Sequence, residues 1–120
     1  MNAKPTTHAR NASDARSPIA CLNDAFRQMP ADGRLAVTAG AIALGNGAVS
    51  DILLAIASFD AFTPDNDPYG ERDFGVVEWR GTRIFWKIDC YDRAMRFGSP
   101  DPADPSVTTR VLTVMLADEY

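Results

Sequence analysis

Asp67, Glu71, Asp89 and Asp92 are the side chains of this 120-residue chain best suited to chemistry. Paired carboxylates act as general acid and base, or hold a metal that activates water. The first two precede a hairpin and the last two end its second strand, so the hairpin could gather them. The competing reading is that they bond backbone amides in turns. Asp65, Asp67, Glu71 and Asp73 also offer oxygen ligands to a hard cation. Asp65-Asn66-Asp67 with Gly70 mimics the start of a calcium loop, yet Val76 stands where its bidentate glutamate belongs, and Pro68 intrudes. No metal and no cofactor is therefore expected. Asp73-Phe74-Gly75 matches the kinase metal-binding tripeptide, but no other kinase element accompanies it. His8, the one histidine, lies in a polar tail, where nothing would hold it against a proton to be moved. Two cysteines and one histidine do not make a structural zinc site.

Binding is the other chemistry on offer. Arg80, Arg83, Lys87, Arg93 and Arg96 form a basic segment with Phe85 and Trp86 interleaved, as in platforms that stack bases and track phosphates. The net charge of −4 argues against a nucleic-acid partner. Charge is segregated: residues 51–78 carry seven acidic side chains and one basic, and residues 79–100 carry five basic and two acidic. Such segregation can present faces of opposite sign to a partner, or the segments can fold together and neutralise. The economical expectation is that the arginines pair with the acidic loop just upstream.

The elements that must position these groups read as follows. Residues 1–16 are polar and aperiodic, and are expected to be a disordered tail ahead of one domain over 17–120. Ser17-Pro18 starts a helix whose stripe is Ile19, Leu22, Phe26 and Met29, ended by Pro30 and Gly33. Arg34 to Leu44 reads as a strand after an Asp-Gly turn, though its alanines weaken it and leave a helical continuation open. A second helix covers about Ala48 to Phe59, with Asn46 or Ser50 as cap and Asp51 near its positive end. The loop 60–73 is rich in Asp and Pro. A hairpin follows, over about Phe74 to Cys90, turning at Arg80-Gly81. Its second strand alternates, with Ile84, Trp86 and Ile88 on one face and Arg83, Phe85, Lys87 and Asp89 on the other. Phe85 is the anomaly, an aromatic on the charged face, either covered by a helix or exposed for contact. Asp104-Pro105 suits a helix start, and a helix to about residue 119 is expected, with a third antiparallel strand as the alternative because VTTRVLTV has high β propensity. The fold class is α+β, a small antiparallel sheet centred on the hairpin and packed on two or three helices. Cys21 and Cys90 are expected as reduced thiols, on a helix face and at a strand end. No secretion signal is visible and no apolar run approaches the roughly 20 residues of a membrane span, so a cytoplasmic location is expected.

The blocks FTPDNDPYGERDFG, RIFWKIDCYD and FGSPDPADPSVTTRVLTVMLADEY, in that order, resemble the bacterial family catalogued as domain of unknown function 3768. The likeness covers roughly residues 34–120. It implies a small stand-alone protein of the kind common on proteobacterial plasmids and other mobile elements, and no activity, cofactor or catalytic residue. Where related chains often have His-Asp-Phe-Gly, this one has Arg72-Asp73-Phe74-Gly75, which argues against histidine chemistry there. The leading expectation is an interaction protein of a mobile element, an inhibitor of a CRISPR or restriction nuclease being its sharpest form. Its protein partner would meet Asp65, Asp67, Tyr69, Glu71, Arg83, Phe85 and Lys87. The alternatives are a small metal-dependent enzyme built on Asp67, Glu71, Asp89 and Asp92, and a nucleic-acid-binding module.

Overall fold

The computed structural model describes residues 15–30 and 34–120. His8, most of the expected tail, and the Asp32-Gly33 turn lie outside them. The first helix, α1 (Pro18–Gln28), begins as its sequence predicts: Pro18 opens it, and the Ser17 hydroxyl accepts from the Ala20 amide at 3.0 Å. Its buried face corrects the expected stripe. Ala20, Asn23, Asp24, Phe26 and Arg27 are buried, while Met29 is 75% exposed and Ile19 and Leu22 are only half-buried. The helix lies against groups that offer polar partners, so its amides and charges turn inward.

Strand β1 (Arg34–Val37) lasts four residues. The alanines and glycine beyond it form a one-turn helix, α2 (Ala39–Ile42), capped by the Thr38 hydroxyl, so the expected strand to Leu44 is cut short. Helix α3 (Ala48–Ser58) buries Ala48, Ile52 and Ile56. Neither Asn46 nor Ser50 caps it. Gly47 does so with φ at 80°, a left-handed conformation for which glycine has no steric penalty. Asp51 in its first turn accepts a hydrogen bond from the Trp79 indole at 3.2 Å.

The hairpin is β2 (Phe74–Trp79) and β3 (Thr82–Tyr91). Its turn has positive φ at both central residues, Arg80 at 47° and Gly81 at 83°, which is the twist that two-residue hairpin loops require. The C-terminal segment overturns the helix expectation in favour of the strand. Asp104 and Pro105 start only a single 3-10 turn (Pro105–Val107), and β4 (Thr109–Leu116) follows. The β-branched residues of TRVLTVML fit the gap between two strands better than a helix surface.

The sheet has four strands in the order β1-β4-β3-β2. The expected α+β class holds, but the sheet is mixed: β4 runs antiparallel to β3 and parallel to β1. On one face Ile84, Trp86, Ile88, Leu112 and Val114 pack with Phe26, Ile52 and Ile56 of α1 and α3. Trp86 is 0% exposed, and Phe59 and Phe62 meet its ring edge-on at 5.7 and 6.2 Å. On the other face Phe85 is half-buried. Its neighbours are Phe74 and Tyr120, each at 5.3 Å. The C-terminal turn is tied down by Glu119, whose Oε1 accepts from the Thr38 hydroxyl at 2.7 Å and the Leu116 amide at 2.8 Å. These bonds draw the Glu119 carboxyl below its ordinary value.

Among the described residues no helix is long and apolar enough to cross a membrane. Cys21 and Cys90 form no disulfide.

Candidate functional site

The polar face of α1 organises a cluster of charged side chains. Asp24 is buried and receives three arginines: Arg27 at 2.6 Å on Oδ1, and Arg16 at 2.8 Å and Arg72 at 3.0 Å on Oδ2. Burial pushes its carboxyl upward. Hydrogen bonds from Arg16 and Arg27 and the charges of Arg27 and Arg72 outweigh that, and its pKa ends below the ordinary 3.8. Arg27 is itself buried. Its Nη1 donates to the carbonyls of Ile56, Ala57 and Phe59, satisfying the C-terminal end of α3, and its guanidinium stacks between Phe62 and Trp86 at 5.4 and 5.3 Å. Beside this cluster, Asn23 accepts from Arg110 Nε at 2.7 Å and donates to the Glu71 carbonyl at 2.9 Å. Two side chains of one helix turn thus join β4 and the acidic loop to α1.

Arg72 stands in the left-handed region, at φ 56°. Its amide donates to Asp67 Oδ1 at 3.1 Å, and its guanidinium lies 5.0 Å over the Phe62 ring on its way to Asp24. Between this loop and residues 15–17 opens a cleft of about 900 Å³ whose lining includes Arg16, Arg72, Phe62, Asp67 and Tyr69. Of the residues expected to meet a partner, Asp67 and Tyr69 line this cleft, and Tyr69 is 88% exposed. Asp65 is exposed at the loop tip, and Glu71 is half-buried beside Asn23. Arg83, Phe85 and Lys87 lie apart on the outer sheet face, with Arg83 5.7 Å over the Phe85 ring.

The four expected carboxylates are only partly gathered. Asp67 and Asp89 both act on Asp73, at the foot of β2. Asp89 pairs with Lys87 at 3.2 Å, and Asp92 turns into its own loop to accept from the Arg96 amide at 2.9 Å. Among the described residues no group of three or more His, Cys, Asp or Glu side chains is placed to hold a metal ion. Asp73 carries the strain of this gathering. Burial raises its pKa above 3.8, Asp67 and Asp89 raise it further, and its own amide opposes them. A carboxyl so raised lends stability below its unfolded pKa and loses it as pH rises through the folded value. Asp73→Asn is therefore expected to raise the urea midpoint at about pH 7, and the gain should vanish at about pH 3. An unchanged midpoint at both would show that Asp73 carries no electrostatic penalty.

The expected pairing of the basic segment with the acidic loop is corrected. Among the described residues none of Arg80, Arg83, Lys87, Arg93 and Arg96 makes an ion pair with residues 60–73. Arg80 stacks on Trp79, Arg96 on Phe97, and Arg93 donates to the Thr108 carbonyl. The arginines that do gather round a carboxylate, Arg16, Arg27 and Arg72, come from other segments, and sequence reasoning passed over them together with Asp24. One signal was available: Asn23, Asp24 and Arg27 recur at helical spacing, a second stripe parallel to the apolar one.

No curated protein and no solved structure matches the chain. The three sequence blocks map onto the cleft loop, the hairpin's second strand, and the segment from the β3–β4 loop to the C-terminal turn, and a family model covers them up to residue 119. With residues 37–119 matched, the chain belongs to the family described as protein of unknown function (DUF3768).

Proposed function

We propose that this protein acts by binding another protein through the outer face of its hairpin, and that it serves a mobile genetic element as an inhibitor of a host CRISPR or restriction nuclease. The observation that carries the binding half is Phe85. Its ring is half-buried, stacked with Phe74 and Tyr120, with Arg83 over it and the Lys87–Asp89 pair beside it. An aromatic anchor within a charged rim is the composition of interface hot spots. The nuclease half rests on the family resemblance and on the acidic loop, whose carboxylates can compete with phosphates for a basic groove. This reading puts the site of action in the cytoplasm.

The metal-dependent enzyme draws less support, because Asp67, Asp89 and Asp92 already have partners of their own. The nucleic-acid module also draws less, since Arg80, Arg83 and Arg96 lie over the protein's own rings.

The test is affinity purification of the tagged protein from a natural host, read by mass spectrometry, with an Arg83→Glu/Lys87→Glu variant alongside. A specific host protein should copurify with the wild type and be lost in the variant while the circular dichroism stays the same. Background alone with the wild type would sink the proposal.

A further inference from the structure

We propose that the groove between α1 and the start of β4 binds a monocarboxylate with an alkyl chain, the chemistry of a medium-length fatty acid. The site lies on the helix side of the sheet and is independent of the docking face described above. Its first ground is Arg110. This residue shares the inward alternation of β4 with Leu112 and Val114, is 7% exposed, and lines the groove. Its bonded nitrogens meet neutral acceptors only: Nε donates to Asn23 Oδ1 at 2.7 Å, and Nη2 to the Pro102 carbonyl at 2.6 Å. Among the described residues Arg110 forms no ion pair. The carboxylates of the loop that holds Pro102 are engaged within it, Asp101 by the Ala103 amide at 3.1 Å and Asp104 by the Ser106 amide at 2.9 Å. Nη1 has no acceptor among the described residues, yet it is not sealed from solvent. Neutral dipoles compensate a buried charge only in part. A ligand carboxylate at Nη1 supplies the counter-charge through a charge-assisted hydrogen bond.

The second ground is the lining of the space. The groove has a volume of about 480 Å³, within the range of small-molecule sites. One wall is Leu22, Phe26 and Met29, at helical spacing along α1 and its C-cap. These seven residues of rise make an apolar wall of roughly 10 Å, suited to an alkyl chain. Met29 is 75% exposed and Leu22 half-buried, so part of the apolar stripe of α1 faces this groove and not the core. No acidic side chain lines the groove. Its second guanidinium is that of Arg93, whose Nη1 is held by the Thr108 carbonyl at 3.2 Å. Positive charge beside an apolar wall selects an anion that carries a chain. A bare anion leaves the wall wet, and a neutral chain leaves Arg110 without a counter-charge.

The test titrates the full-length protein with octanoate, butanoate, octanol and inorganic phosphate, by calorimetry and by amide NMR. Octanoate should bind saturably, with shifts centred on the amides of Ala25, Met29, Thr108 and Arg110. Butanoate and inorganic phosphate, which leave the wall uncovered, should bind at least about tenfold more weakly. Octanol should also be weaker by at least about tenfold, the loss of one charge-assisted contact. Met29→Glu, at a side chain too exposed to matter for folding, sets a carboxylate on the apolar wall and should weaken octanoate by at least about tenfold. Arg110→Gln, checked for folding by circular dichroism, should bring octanoate down to the affinity of octanol. Met29→Glu decides the matter even where Arg110→Gln does not fold. No saturable binding of octanoate to the wild type overturns the proposal. So does equal affinity for octanoate and octanol, wild-type affinity in Met29→Glu, or shifts centred away from the groove.

Discussion

Asp24→Ala is expected to cost about 3–5 kcal/mol of folding stability, the penalty for stranding a buried charge whose partner has been removed. The charge left behind is Arg27, 3% exposed and bonded to the end of α3. It cannot withdraw to water without uncapping that helix and leaving Phe62 and Trp86. Arg16 and Arg72 are different. Each is about one-third exposed and reaches water when its pair is broken, so Arg16→Gln or Arg72→Gln should cost only about 0–1 kcal/mol. Urea titrations followed by far-ultraviolet circular dichroism measure all three. A cost for Asp24→Ala no larger than for the two arginine variants would show that the cluster is not an ionic anchor. The pH profile adds a second readout. The folded pKa of Asp24 is depressed, so its contribution is fully present above the unfolded value of 3.8 and is lost as pH falls through the folded value. The wild type should therefore lose stability on acidification that Asp24→Ala has already forfeited, and the two curves should converge in acid.

Gly75→Ala is expected to cost about 1–3 kcal/mol through overpacking, although Gly75 sits in a regular strand with no unusual backbone angle. Gly75 lies opposite Trp86 in the β2–β3 register. A Cβ added there would come within 2.6 Å of Trp86 Cζ2 and Nε1. The indole has nowhere to go, being 0% exposed and held edge-on by Phe59 and Phe62. The same variant in a Trp86→Phe background should cost less, since the phenyl ring does not reach so far. A double-mutant cycle in urea gives the coupling between the two sites, and additive costs would refute the steric account.

The hairpin, its turn and its inward face were legible in the residue order because each is a local signal. Arg80-Gly81 accepts the two positive φ angles of the turn, and strict alternation in Thr82–Tyr91 separates Ile84, Trp86 and Ile88 from Arg83, Phe85 and Lys87. The start of α1 was legible for the same reason, since Ser17 and Pro18 act on the first turn alone. Family membership could also be recognised from the three blocks, and the family model agrees.

Tertiary structure decided the rest, wherever two local preferences were nearly balanced or a partner was far away along the chain. The segment after Asp104 has both a helix start and β-branched residues. The open place between β1 and β3 made it a strand, because β3 pairs along Thr109 to Leu116 and β1 pairs with Val111 to Val114 on the other side, giving its backbone groups partners. Helix α1 carries an apolar stripe and a polar one, and period alone favours burying the first. Asn23, Asp24 and Arg27 are buried instead because Arg110, Arg72 and the carbonyl end of α3 meet them. The Asp24 cluster is assembled from four positions between 16 and 72; helical spacing relates Asp24 to Arg27, but no spacing rule brings Arg72 to them. Residue order therefore set the elements and the faces of the hairpin. Which polar groups were taken out of water, and where two arginines ended side by side over a cleft, depended on long-range partners that only the folded chain brings together.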